Sequence, residues 1–135
     1  MQNKKVLIFG SNGLVGSSST KIFLESNNYE VFASTRKDTD LFKLGDTQKI
    51  IDDFSPDVII NCAAKVGGIM ANNSLRTEFI LENLKININI FESCIKKPNI
   101  SIINLGSSCI YPLNAPNPIK ESSFMEGKLE ETNSP

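Results

Sequence analysis

Lys4-Lys5-Val6-Leu7-Ile8-Phe9-Gly10-Ser11-Asn12-Gly13-Leu14-Val15-Gly16 is the stretch that decides the fold. Four apolar residues in a row run into glycine, as a strand buried on both faces does. The glycines recur as G-x-x-G-x-x-G immediately before a segment with helical spacing. Each glycine has a chemical reason. One permits a tight turn, one lets backbone N–H groups approach a pyrophosphate, and one lets the helix pack close to the sheet. The start of the helix adds partial positive charge at the same place. A glycine motif alone predicts only a tight turn. Between a strand and a helix it predicts dinucleotide binding through Gly10, Ser11, Asn12, Gly13, Leu14, Val15 and Gly16.

Outward from this loop the pattern repeats. A helix is predicted from Leu14 to about Ser26, a strand over 29–35, and a very short strand at Leu41 and Phe42. Asp46 is expected to cap a helix that runs to Phe54, ended by Ser55-Pro56-Asp57. Val58-Ile59-Ile60-Asn61-Cys62-Ala63-Ala64 reads as a buried strand and 65–73 as a loop. Ile86-Asn87-Ile88-Asn89-Ile90 alternates as a strand would. The surrounding 75–97 nevertheless lacks Gly and Pro and ends in Lys96-Lys97-Pro98, which predicts a helix. Its apolar residues fall in two rows, one at 80, 84, 88, 91 and 95, the other at Phe79, Ile86, Ile90 and Cys94. One row can face the sheet and the other a partner subunit, or both can form one broad core face. A last strand is expected over 100–106, and proline-rich loop after Tyr111. Alternating strands and helices imply an α/β protein with a doubly wound parallel sheet of Rossmann type. The expected strand order is 3-2-1-4-5, an incomplete version of that fold.

Composition narrows the function class. The 135 residues are 40% hydrophobic and 21% charged with net charge −1, which suits one globular domain or part of one. Nothing in that balance, and no basic run with interleaved aromatics, points to nucleic acid or a membrane. The first apolar run is too short to span a bilayer or to act as a secretory core, so a cytoplasmic protein is expected. Cys62, Cys94 and Cys109 show neither zinc nor disulfide spacing. With no His, a His-based metal site or triad within these residues is excluded, and no metal is expected.

Coenzyme choice is read at the end of the second strand. An acidic residue there holds the ribose 2′-hydroxyl of NAD, whereas this chain has Ser34-Thr35-Arg36-Lys37. Two cations favour a 2′-phosphate, with Arg36 able to bind it bidentately, and therefore NADP(H). Asp38 and Asp40 follow, which leaves NAD and a plain solvated strand end open on the residues alone.

These features resemble the extended short-chain dehydrogenase/reductases. Asn61-Cys62-Ala63-Ala64-Lys65 is similar to that family's coenzyme-lining strand, Asn83 opens a stretch similar to its fourth-helix motif, and Ser107-Ser108-Cys109-Ile110-Tyr111 resembles its catalytic-serine segment. Two strings, 63–69 and 105–112, together with the tail from Glu121 to Pro135, resemble the GDP-L-fucose synthases within it. The resemblance implies NADP(H) lying along the glycine loop, Arg36, Lys37, Asp40 and Leu41, Ala63, Ala64 and Lys65, and Leu105, Gly106, Ser107 and Ser108. Asn12 departs from the pattern, since relatives often carry a basic residue there; this puts more of the selectivity on Arg36.

The implied chemistry has two parts, performed on GDP-4-keto-6-deoxymannose. Carbons 3 and 5 are made acidic by the neighbouring ketone, and Cys109 is implied as one of the groups that exchange their protons. The default for any cysteine is instead a small buried apolar residue. Ser107 is implied to hydrogen-bond the ketone oxygen during reduction; a serine capping the strand end is the structural alternative. The family also uses a Tyr-x-x-x-Lys pair. Only Tyr29 and Tyr111 are present, with Ala33 and Ala115 four residues on, so the pair is absent. The resemblance puts its tyrosine directly after Pro135, and a second acid, a His, later still. The chain is therefore expected to be the N-terminal part of an NADP-binding domain, inactive alone, with an exposed sheet edge, and homodimeric when full-length. Another nucleotide-sugar epimerase, dehydratase or reductase and a non-catalytic NADP-binding module are the alternatives. A purely structural domain leaves the glycine loop and Ser107-Ser108-Cys109 unexplained.

Overall fold

A computed structural model of the chain describes residues 3–133. The chain forms two compact units, one of the residues up to Lys65 with Glu78–Leu105, the other of Val66–Thr77 with the residues from Gly106 on.

In the first unit, β1 (Lys4–Phe9), α1 (Leu14–Glu25), β2 (Tyr29–Ser34), α2 (Leu44–Phe54) and β3 (Val58–Asn61) follow in order. The long helix and β4 (Ser101–Asn104) complete it. All strand pairs are parallel, in the order β2-β1-β3-β4. The doubly wound parallel sheet expected from the sequence is present, with one correction to its order. Leu41 and Phe42 form a turn instead of a short outer strand, so β2 is an edge. The cause is Asp40: its side chain accepts the Phe42 N–H at 3.1 Å and its carbonyl accepts the Lys43 N–H at 2.9 Å, which curls the backbone.

One face of the sheet carries Leu7, Phe9 and Ile59 against Ile51 of α2 and Ile86, Ile90 and Cys94 of the long helix. Leu7, Ile51 and Ile59 are wholly shielded from water. Burying an aliphatic side chain of this size stabilises the fold by roughly 1.5–3 kcal/mol. Val6, Ile8 and Ile60 form the opposite face, with Phe23 of α1 packed on them. Alternation along β1 thus feeds two cores, which is why its sequence is apolar at every position from Val6 to Phe9.

Several boundaries differ from expectation. α2 begins at Leu44 with Lys43 as its cap residue, and Asp46 lies in the first turn instead of capping. Ser55 ends that helix in a left-handed conformation, φ 51°. β3 stops at Asn61, and β4 at Asn104, because beyond them the backbone turns into loops.

In the second unit, α3 (Ile69–Ser74) is a six-residue helix inside the stretch expected to be loop. The Asn72 amide donates to the Gly67 carbonyl at 3.3 Å, a local bond that asparagine-rich sequence does not announce. α4 (Arg76–Cys94) begins in this unit and continues in the first. After it, short 3-10 turns at Ser108–Ile110 and Glu121–Ser123 interrupt the loop. The Leu113 N–H bonds to the Lys128 carbonyl at 3.0 Å, and the rings of Tyr111 and Phe124 meet edge to face.

Helix α4 resolves the two apolar rows. Ile86, Ile90 and Cys94 face the sheet, whereas Ile80, Leu84, Ile88, Phe91 and Ile95 are exposed. The strand-like alternation has its own cause. Asn87 and Asn89 are spent on tertiary hydrogen bonds, at 3.2 Å to Asn61 and 2.8 Å to the Leu41 carbonyl.

Candidate functional site

Parallel pairing brings the C-terminal ends of all four strands to one edge. Ser34, Phe9, Asn61 and Asn104 stand in register across it. The loops that leave this edge hold most residues singled out from the sequence.

The glycine loop leaves β1 with Gly10 in the left-handed region, φ +71°. A Cβ on Gly10 would lie 2.8 Å from the Ala63 backbone, and one on Gly16 only 2.1 Å from the Gly10 carbonyl oxygen. Both positions therefore exclude any side chain. Gly13 is the residue before α1, and the Gly13 N–H closes the turn onto the Gly10 carbonyl at 3.0 Å. The Ser11 N–H bonds to the Ser34 carbonyl at 3.1 Å, fixing the loop to the end of β2. Ser11 is buried, whereas Asn12, Leu14 and Val15 are exposed along the mouth of the loop. A backbone cradle at a helix start, kept free of side chains, fits a pyrophosphate.

Segment 34–43 is a tight hydrogen-bonded turn. Ser34 donates to Thr39 at 3.0 Å, and both are buried. Asp38 folds back on Thr35, accepting its hydroxyl at 2.6 Å and its N–H at 2.8 Å. Those two bonds, the hydroxyl first, hold the Asp38 carboxyl below the usual carboxylate range. Asp40 is likewise occupied, by the Phe42 N–H and by Lys43 at 3.5 Å. The two acids that obscured the sequence reading thus serve the turn itself. Arg36 and Lys37 are exposed and in no ion pair among the described residues. The Arg36 guanidinium lies over the Phe42 ring, 5.1 Å from its centroid. Cation–π contact leaves its N–H edge free to meet an anion.

Segment 61–65 is held by an asparagine network. Asn61, which is buried, donates to Asn104 at 2.7 Å and to Asn87 at 3.2 Å, and accepts the Ala63 N–H at 3.0 Å. Asn83 of α4 brackets Lys65, accepting its N–H at 2.8 Å and donating to its carbonyl at 3.0 Å. Lys65 is also paired with Glu82 at 2.7 Å. Burial pushes the neighbouring Cys62 thiol up from its ordinary value. Leu105 closes the edge, its N–H on the Asn61 carbonyl at 3.2 Å.

Gly106, Ser107, Ser108 and Cys109 belong to the second unit. Ser107 precedes the 3-10 turn at Ser108–Ile110, and its Oγ accepts the Cys109 N–H at 3.2 Å. Capping therefore falls to Ser107 and not Ser108. A hydroxyl accepts and donates at once, so the Ser107 proton stays available to a ligand oxygen. Cys109 is exposed, unlike the buried Cys94. The sequence reading missed Asn87, Asn89, Asn104, Thr39 and Phe42. Asparagine placed among apolar strand and helix residues was the visible signal, since a buried amide needs partners.

The first unit thus carries a glycine cradle with a cationic turn beside it at the ends of parallel strands. The model of the NAD dependent epimerase/dehydratase family matches residues 6–135. The chain belongs to that family.

Among curated relatives, the GDP-L-fucose synthase of Sinorhizobium fredii is 36% identical over 133 residues, 98% of this chain and 42% of that one. This chain thus spans about two fifths of the length of the curated relatives it matches. Among solved structures, a GDP-D-glycero-L-gluco-heptose synthase from Campylobacter jejuni, determined in the presence of NADPH, is 30% identical with a TM-score of 0.82. It matches 98% of this chain and 39% of that one. A GDP-L-fucose synthetase from Naegleria fowleri bound to NADP is 26% identical with a TM-score of 0.81, over 98% of this chain and 43% of that one.

Proposed function

We propose that this chain is the NADP(H)-binding part of a GDP-L-fucose synthase, an enzyme that converts GDP-4-keto-6-deoxymannose to GDP-L-fucose. The observation that carries the reading is the glycine cradle at 10–16, bonded to Ser34, with Arg36 and Lys37 just beyond and in no ion pair among the described residues. The similarity to GDP-L-fucose synthases along nearly the whole chain supplies the substrate class.

In this account the backbone of Gly10, Ser11, Asn12 and Gly13 and the start of α1 receive the pyrophosphate, with Leu14 and Val15 against its mouth. Arg36 takes the 2′-phosphate, aided by Lys37. Asp40 acts by shaping the turn, and Leu41 through its carbonyl. Ala63, Ala64, Lys65 and Leu105 of the first unit line the rest of the coenzyme site; for Gly106 and Ser108 the support is the family resemblance of their segment. Bound NADPH supplies the reducing equivalent for the 4-keto group. Ser107 donates a hydrogen bond to the ketone oxygen, and Cys109 exchanges a proton at one of the carbons beside the ketone.

Residues 1–135 are thus the N-terminal part of the coenzyme domain of a cytoplasmic enzyme. The exposed row of α4 serves as the homodimer face of the full-length form. No Tyr-x-x-x-Lys pair lies within the chain, so it is expected to bind NADPH without turnover. The test is to titrate the 135-residue chain with NADPH, then add GDP-4-keto-6-deoxymannose and follow nicotinamide absorbance. Binding without oxidation is expected. Failure to bind overturns the whole reading, and substantial oxidation overturns the inactivity.

One observation favours a second reading, reduction of a different GDP-sugar. The Campylobacter heptose synthase matches this chain as well in structure as the fucose synthetase does. Product analysis by an enzyme carrying this segment, given GDP-4-keto-6-deoxymannose or a GDP-4-keto-heptose, separates the two.

A further inference from the structure

Asn89 sits on α4, 48 residues away in sequence from the turn that carries the cationic pair, yet its side chain reaches that turn. Its Nδ2 donates to the Leu41 carbonyl at 2.8 Å, and the residue is only 7% exposed. Leu41 and Phe42 are partly buried against the core that Ile86 and Ile90 of the same helix help to form. The next link is Phe42, whose N–H is held by Asp40 and whose ring lies under the Arg36 guanidinium. A continuous chain of contacts therefore runs from Asn89 through Leu41 and Phe42 to Arg36.

Recognition of a 2′-phosphate depends on where the Arg36 guanidinium is allowed to be. An exposed arginine has several rotatable bonds and spends most of its time away from any one geometry. Loss of that freedom on binding weakens the contact. The Phe42 ring offers a fixed plane that narrows the choice, but only if the Phe42 backbone is itself fixed. Nothing in segment 40–43 forms a strand, so sheet hydrogen bonds do not fix it. The buried amide of Asn89 does so from outside the segment, where an unpaired amide or carbonyl would cost free energy.

We infer that Asn89 is a positioning residue for coenzyme selectivity: it anchors the 40–43 turn so that Phe42 presents Arg36 to a 2′-phosphate. This rests on the coenzyme reading above. It predicts that loss of Asn89 weakens recognition of the 2′-phosphate specifically, with little effect on the rest of the nucleotide.

The experiment is calorimetric titration of the 135-residue chain with adenosine 2′,5′-bisphosphate and with AMP, which differ only in the 2′-phosphate. The wild type should prefer the bisphosphate by at least about tenfold. N89A should lose most of that preference while binding AMP unchanged, and R36A should abolish it. The double variant R36A/N89A should be no worse than R36A, as expected when both act through one contact. If N89A does not give a cooperative melt, F42L, which removes the platform and leaves the amide bond, takes its place with the same expected loss. A wild type without preference defeats the coenzyme reading. A preferring wild type whose folded variant keeps the full preference, or loses AMP and the bisphosphate equally, defeats the role of Asn89 alone.

Discussion

The side chain of Asn83 brackets the backbone of Lys65, accepting its N–H at 2.8 Å and donating to its carbonyl at 3.0 Å. A helix residue thus makes the pair of bonds that a neighbouring strand would make. It does so just where β3 has ended and the chain still lines the strand edge. Asn61 secures the first residues of the same loop through the Ala63 N–H. Loop 62–65 is therefore held without belonging to the sheet.

N83A should destabilise the chain by about 2 kcal/mol, since two partly buried backbone groups each lose a bond worth about 1 kcal/mol. Urea unfolding monitored by far-ultraviolet circular dichroism measures it. An unchanged midpoint would mean that the loop holds itself.

Gly16 and Gly45 should respond to alanine with opposite signs. A Cβ on Gly16 meets the Gly10 carbonyl at 2.1 Å, a backbone atom that cannot move aside, so G16A should cost roughly 1–3 kcal/mol and abolish nucleotide binding. Nothing lies within 4 Å of a Cβ on Gly45 in the first turn of α2. G45A should be neutral to stabilising, by up to about 1 kcal/mol from helix propensity. Thermal melts of the two variants decide it.

The Thr35 hydroxyl and N–H hold the Asp38 carboxyl below its ordinary value. A depressed folded-state pKa gives stability that is present above the unfolded pKa, about 3.9. That stability is lost as pH falls through the lower folded value. D38A should therefore be less stable than the wild type near neutral pH, with the gap closing on acidification below pH about 4. Urea midpoints of both proteins across that range check the sign; a gap that widens in acid would contradict it.

The sheet was legible because β1 and β3 are apolar at successive positions, which only a strand buried on both faces requires. The glycine loop was legible because steric exclusion leaves a direct mark on sequence. The turn at 41–42 was not, since two large apolar residues look like a strand until Asp40 is seen to take the Phe42 N–H. The function of Asp38 and Asp40 was hidden for a related reason. Composition shows a carboxylate near a cation but not that Thr35 has already claimed it. The asparagine contacts join residues far apart in sequence, such as Asn61 and Asn104, and no local pattern encodes such a pairing.

Ile88 and Phe91 on one face of α4 and Ile95 just after its end are 54%, 48% and 80% exposed. Contiguous apolar surface of this kind drives association in water. Sedimentation of the wild type should show concentration-dependent self-association, and I88E/I95E should sediment as a monomer with the same melting behaviour. Equal association by both proteins would locate the sticky surface elsewhere.

The most direct test of the central claim compares NADPH and NADH on the 135-residue chain. With no tryptophan to interfere, nicotinamide fluorescence reports binding. If the cradle at 10–16 and Arg36 together form an NADP(H) site, NADPH should bind at least about tenfold more tightly than NADH. R36A should bring the two together. No NADPH binding at millimolar protein and coenzyme, or equal affinity for both coenzymes in the wild type, would contradict the account.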